Sequence, residues 1–247
     1  MRSRGCFGKL CLPVIPYTGH PLVQENRAMS RKVKISPSIL AADFLHLGDE
    51  IRKMEDAGAD MLHFDVMDAH FVPNLSLGVG MLEAVRKATS MYLDVHLMMD
   101  NPEKYLKTFA DAGADGITIH LEIHPEPDAI LDEIGSLGKT RGLAINPDMP
   151  VERLSGRVSR VDRLLLMSVF PGFGGQSFIP ESLERLTRTR ALLDGEGRAG
   201  AELQIDGGVG PANAAAIVKA GADCLVAGTA IFRAPDPAAA IRGMRGE

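Results

Sequence analysis

Short apolar runs recur along this chain, and between them lie longer stretches whose apolar positions follow helical spacing. Runs near 34–39, 61–67, 92–98, 116–120, 141–146, 163–169, 202–206 and 224–227 have the length and composition of buried strands. Stretches near 46–57, 79–89, 102–112, 127–137, 151–159, 181–194, 211–220 and 236–245 read as helices. Strands that alternate with helices throughout form a parallel sheet. Eight such pairs in 247 residues fit an α/β fold closed as a TIM (β/α)8 barrel better than an open doubly wound sheet. No linker interrupts 33–247, so a single barrel domain is expected there.

An internal repeat supports this count. Ala57-Gly58-Ala59-Asp60 returns as Ala112-Gly113-Ala114-Asp115 and as Ala220-Gly221-Ala222-Asp223. Each glycine closes a helix and each acid opens the next strand. The period of about 54 residues reads as two strand–helix pairs. The copy expected near 166 keeps its acid, Asp162, but has lost its glycine. These aspartates start strands, at the barrel end that carries stability rather than chemistry.

Two strands break the apolar rule at matching places. Met61-Leu62-His63-Phe64-Asp65-Val66-Met67 and Tyr92-Leu93-Asp94-Val95-His96-Leu97-Met98 each carry a histidine and an aspartate two residues apart. Side chains alternate along a strand, so both members of a pair share a face. A buried charge is costly unless it is paired or holds a metal. A lone histidine on an apolar strand is usually a satisfied core residue; two His and two Asp converging at one barrel mouth are not explained that way.

The strands' C-terminal ends carry function in such a barrel. Residues near those ends are Ser38, His63, Asp65, Met67, Asp94, His96, Met98, His120, Asn146, Met167 and Asp206. Asp206 is the natural completing ligand for His63, Asp65 and His96, and Asp94, one strand repeat deeper, is a supporting partner. Gly172, Phe173, Gly174 and Gly175 follow the sixth strand, Gly207 and Gly208 the seventh, and Gly228-Thr229 the eighth. One glycine-rich loop usually marks only a turn, but three neighbouring ones suit a phosphate held by backbone N–H groups. Met67, Met98 and Met167 are candidates for an apolar, water-excluding lining.

Composition narrows the classes. A net charge of −5 and no basic stripe argue against nucleic-acid binding, and no apolar run approaches the ~18 residues of a membrane helix. The three cysteines, Cys6, Cys11 and Cys224, form no CxxC pair and suit a reducing, cytoplasmic setting. Residues 1–32 are rich in Arg and Lys, with Glu25 as their acid, but lack a clean apolar signal core. They are expected to be a disordered extension, or sequence upstream of a true start at Met29. Organelle targeting by them stays open.

Ser36-Pro37-Ser38-Ile39-Leu40-Ala41-Ala42-Asp43-Phe44, Leu62-His63-Phe64-Asp65-Val66-Met67-Asp68, His70-Phe71-Val72-Pro73-Asn74, Asp94-Val95-His96-Leu97-Met98, Pro171-Gly172-Phe173-Gly174-Gly175-Gln176 and Asp206-Gly207-Gly208-Val209 together resemble the ribulose-phosphate 3-epimerases. The resemblance runs from about Val33 to the C-terminus. It implies an isomerase that converts ribulose 5-phosphate to xylulose 5-phosphate by two-base proton transfer through an enediolate. Asp65 and Asp206 would be the acid/base pair. One divalent metal (zinc, manganese, iron or cobalt) would sit on His63, Asp65, His96 and Asp206. Ser38 and His96 would contact the substrate, and the glycine segments 172–175, 207–208 and 228–229 would hold its phosphate. The expected partner is a small phosphorylated ketose, in the pentose phosphate pathway and with the Calvin cycle open, and the chain is expected to form a homo-oligomer.

Ala69 stands where that family usually has Gly, Phe170 where a polar residue is common, and Thr229 in place of a frequent Ser. Phe170 and Thr229, expected near the substrate, bear on which sugar is accepted. The nearest alternative is therefore the same reaction on a hexulose, an allulose-6-phosphate 3-epimerase. Related lyases carry a Lys two residues after an Asp of the second strand, and here no Lys occurs between Asp65 and Arg86. A non-catalytic phosphate-binding barrel would have lost a ligand or base, and all four candidate ligands are present.

Overall fold

The computed structural model describes residues 32–247, so the extension expected over 1–32 lies, apart from Lys32, outside the described residues. Eight strands form one parallel sheet: β1 (Lys34–Pro37), β2 (Met61–Met67), β3 (Tyr92–Met98), β4 (Gly116–His120), β5 (Thr140–Ile145), β6 (Arg163–Met167), β7 (Glu202–Asp206) and β8 (Cys224–Ala227). Each pairs with its sequence neighbour from β2 through β8, and β8 pairs with β1. A parallel bridge between Ser38 and His63 joins β1 to β2 and nearly closes the barrel.

Outward positions of the strands, among them Leu62, Phe64, Val95, Ile117, Leu164 and Ile205, are buried against the helices in one hydrophobic core. Inward positions are far more polar. His63, Asp94, His96, His120 and Gln204 are each no more than 1% exposed. Asp94 accepts from Arg163 (2.5 Å), from Gln204 Nε2 (2.8 Å) and from His63 Nδ1 (2.9 Å). Arg163 also donates to Glu202 at 2.6 Å. These charges tolerate burial because each is paired and hydrogen-bonded.

The repeat explains the other end of the barrel. Asp60, Asp115, Asp162 and Asp223 precede β2, β4, β6 and β8, and each carboxylate accepts the backbone N–H of Ile35, Leu93, Arg141 or Leu203 at the start of the preceding strand. Each also pairs with an arginine: Arg245, Arg86, Arg141 and Arg190 respectively. Gly113 adopts φ +115, and a Cβ there would lie 2.4 Å from Arg86 Cγ, so the glycine makes room for the arginine stem. Asp162 draws its arginine from β5 itself. Arg198 also approaches Asp162, at 3.6 Å, and donates to the carbonyl of Val161.

One expected helix differs. Over 151–159 only a short 3-10 turn forms, Val151–Leu154. Ser155 turns extended and Gly156 takes φ +72, which stops the helix, while Val151, Leu154 and Val158 stay buried. Among the described residues no helix is long and apolar enough to cross a membrane.

Candidate active site

Register brings the two polar strands into line: His63 lies opposite Asp94, and Asp65 opposite His96. Together with Asp206 at the end of β7, they gather His63, Asp65, His96 and Asp206 so that one ligand atom from each lies within 4.8 Å of the others. Among the described residues this is the cluster whose donors suit a metal ion.

The hydrogen bonds around the cluster aim those donors. When His63 is neutral, as a metal ligand must be, its proton sits on Nδ1, toward Asp94 Oδ2 at 2.9 Å, which leaves the Nε2 lone pair facing inward. Nε2 is buried without a hydrogen-bond partner, 3.2 Å from Asp65 Oδ1 and 4.0 Å from Asp206 Oδ2. His96 Nδ1 is 3.2 Å from Asp65 Oδ1, and Ser38 Oγ donates to Asp65 Oδ2 at 2.6 Å. An orphaned imidazole nitrogen beside two carboxylates fits a divalent cation, and the mixed nitrogen and oxygen set suits a first-row transition metal.

The electrostatics agree. Burial raises the His63 imidazole's cost of charging, yet Asp65 and Asp94 outweigh it and push its pKa well up. Burial likewise opposes charge on Asp65, but His63 and His96 hold it well below the usual carboxylate range. Asp206 goes the other way: burial, with Asp65 close by, raises it to about 7. Burial lowers His96 to about 4. The site therefore favours positive charge at its centre, with one carboxylate ionised and its neighbour holding a proton near neutrality.

A pocket opens above this cluster at the C-terminal ends of the strands. Ser38, Asp65, Asp206 and the three methionines, Met67, Met98 and Met167, line it. Its rim is made by Gly172, Phe173, Gly174 and Gly175 after β6, Gly207 and Gly208 after β7, and Gly228 and Thr229 after β8. His63 and His96 are not on its wall; both are completely buried behind Asp65. Phe170, expected near the substrate, is 54% exposed and lies off the pocket wall, whereas Thr229 is on it.

Some contributors had no role in the sequence reading. Asn74 Nδ2 donates to Gly172 O at 2.6 Å and ties the loop after β2 to the loop after β6. Gln176 Nε2 donates to the carbonyls of Phe170 (2.7 Å) and Phe173 (2.9 Å) and staples that second loop. Ser76 Oγ donates to Asp65 O at 2.7 Å and accepts from Met67 N at 2.9 Å, filling a gap at the edge of β2. Gln176, at the end of the glycine-rich run, was a signal available for one such staple, and Asn74, directly after Pro73, for a turn. For Ser76 no sequence signal exists.

Comparison with known proteins follows the same lines. The family model described as "Ribulose-phosphate 3 epimerase family" matches residues 34–232. A ribulose-phosphate 3-epimerase of Synechocystis is 46% identical over 219 residues, covering 88% of this chain and 95% of that protein. One from Bacillus subtilis is 42% identical, covering 87% of this chain and 99% of that protein. Among solved structures, the tryptophan synthase A-subunit of Pyrococcus furiosus superposes with a TM-score of 0.65 at 13% identity over 88% of this chain and 99% of that one, a likeness of fold alone.

Proposed function

The chain belongs to the ribulose-phosphate 3-epimerase family, and from that premise we propose that it epimerises ribulose 5-phosphate to xylulose 5-phosphate at C3 by proton transfer between Asp65 and Asp206. The observation that carries this reading is two carboxylates of opposed acidity in one pocket, brought there from β2 and β7. Inverting a carbon beside a ketone needs a base on one face and an acid on the other.

Ionised Asp65 takes the C3 proton, and the electron pair moves toward the C2 carbonyl oxygen to give an enediolate. Protonated Asp206 returns a proton to the opposite face of C3. The two carboxyls have then exchanged protonation states, and exchange with solvent resets them. Ser38 fixes the Asp65 carboxylate through its 2.6 Å hydrogen bond. Met67, Met98 and Met167 keep water from the reacting carbon, and the glycine-rich rim holds the substrate phosphate.

His63, Asp65, His96 and Asp206 would hold one divalent metal, with zinc, manganese, iron and cobalt all suited to these donors. When bound, it would polarise the ketone and offset the charge of the enediolate. The exposed side chains of Phe44, Leu45 and Leu75 are apolar surface suited to self-association as a homo-oligomer.

Hydrogen–deuterium exchange at C3 of ribulose 5-phosphate in heavy water tests the two-base scheme. The wild-type protein should exchange C3 hydrogen and form xylulose 5-phosphate. Asp65→Asn and Asp206→Asn should each lose turnover by about 10²–10⁴-fold, the range for one general acid or base. Near-normal turnover in either variant would sink the scheme. Rates on allulose 6-phosphate, measured alongside, distinguish pentulose from hexulose preference.

A further inference from the structure

Beneath His96 a chain of hydrogen bonds runs away from the pocket. His96 Nε2 meets His120 Nε2 at 2.8 Å, and His120 Nδ1 meets Glu122 Oε2 at 3.1 Å. The other carboxylate oxygen, Glu122 Oε1, accepts the backbone N–H of Asn146 at 2.7 Å. Arg185 holds that backbone from the far side, donating to Asn146 O at 2.6 Å and to Met167 O at 3.1 Å. His120 is 1% exposed, and Phe71 covers it with ring centroids 4.7 Å apart. His120, Glu122, Asn146, Arg185 and Phe71 do not line the pocket.

The chain has a direction. A carboxylate only accepts, so Glu122 requires a proton on His120 Nδ1. Neutral His120 then offers a lone pair at Nε2, and only His96 Nε2–H can satisfy it. Asp65 Oδ1 competes for the one proton of His96 from 3.2 Å at Nδ1, but the contact to His120 Nε2 is shorter, at 2.8 Å, so the proton is held on Nε2, away from the site, and the Nδ1 lone pair is left facing Asp65. We propose that His120 and Glu122 are positioning residues that lock His96 in its Nε2–H tautomer and so make Nδ1 a metal donor. This deepens the metal reading given above and rests on it.

The chemistry singles out one variant. In Glu122→Gln the amide oxygen must accept from Asn146 N, so the amide nitrogen faces His120 and donates to Nδ1. His120 then carries its proton on Nε2 and donates to His96 Nε2. His96 is forced to carry its own proton on Nδ1, pointing at the site. One substitution of nearly equal shape thus reverses every donor in the chain.

Two measurements read this out without turnover. Nitrogen-15 NMR of the histidine side chains in metal-free protein should find His96 protonated on Nε2 in the wild type and on Nδ1 in Glu122→Gln. Zinc affinity, taken by competition with a chromophoric chelator, should fall about 10–100-fold in Glu122→Gln, the usual effect of losing a ligand's outer partner. His120→Phe, which keeps a ring under Phe71 but removes the acceptor, should also weaken zinc binding. Wild-type His96 protonated on Nδ1, or unchanged zinc affinity in both variants, would overturn the inference. A wild-type protein that binds no zinc, manganese, iron or cobalt would instead overturn the metal reading, and the wild-type tautomer, which needs no variant, would still decide the role of His120 and Glu122.

Discussion

The two ends of this barrel use aspartate for opposite purposes. At the N-terminal end Asp60, Asp115, Asp162 and Asp223 each take a backbone N–H and an arginine, so their lone pairs are committed to holding strands in place. At the C-terminal end Asp65 and Asp206 face each other with no arginine between them, and the cations within reach are imidazoles that can lose their charge. An arginine guanidinium stays protonated and quenches its partner carboxylate. A carboxylate that must gain and lose a proton, or bind a metal, cannot be paired that way. Where arginine is present the aspartate is structural, and where it is withheld the carboxyl's acidity is free to be tuned.

The largest effect should come from crossing this division at the mouth. Asp206→Asn removes an acid that burial beside Asp65 holds near pH 7, so the ionised form is disfavoured in the folded protein. Turnover should fall by about 10²–10⁴-fold. The melting temperature of the metal-free protein at pH 8 should hold or rise, because no charge remains to be buried there. A large loss of stability with the loss of activity would erase the distinction between the ends.

At the other end the expected signature is reversed. Gly113→Ala places a methyl 2.4 Å from Arg86 Cγ at φ +115. A loss of about 2–3 kcal/mol in urea unfolding is expected, with kcat and KM of the folded enzyme unchanged.

Asp162 sharpens the comparison through pH. The hydrogen bond from Arg141 is the main cause holding its carboxyl below the usual range, despite partial burial. A carboxyl lowered in the folded state contributes stability above its unfolded pKa, about 4, and loses it as pH falls through the folded value. Asp162→Asn should therefore cost about 0.5–1 kcal/mol at pH 7, allowing for solvent screening, and the difference from wild type should shrink by pH 3. A gap that widens on acidification would reverse the assignment.

The smallest effect concerns the loop after β2. Ala69 sits at φ +61, the left-handed region that suits glycine. Ala69→Gly should stabilise by at most about 1 kcal/mol, since relief of strain is offset by the greater freedom of glycine when unfolded, and should leave catalysis intact. A clear loss of activity would mean that the methyl group shapes the mouth.

The strand count, the parallel class and the repeat were all legible in the chain, because period and turn chemistry are local properties. His63, Asp65, Asp94 and His96 stood out for a similar reason: a polar residue inside an apolar strand is visible without its partners. The segment 151–159 misled because apolar spacing alone does not reveal that Ser155 and Gly156 stop a helix after one turn. Phe170 lay beside a glycine-rich motif, yet it is exposed and not part of the pocket wall, which proximity in sequence cannot tell.

The sequence by itself determined which residues could do chemistry and at which end of the barrel they would lie, since strand alternation and chain direction follow from covalent order. Only the tertiary structure decided what each one meets. Register set His63 against Asp94 and Asp65 against His96, barrel closure carried Asp206 from β7 to the same pocket, and the start of β5 supplied Asp162 with its arginine. It also joined His96 to His120, Glu122 and Asn146, residues from three consecutive strands and the turns that follow them. A hydrogen's place on an imidazole depends on neighbours far apart in the chain, and so only folding fixes it.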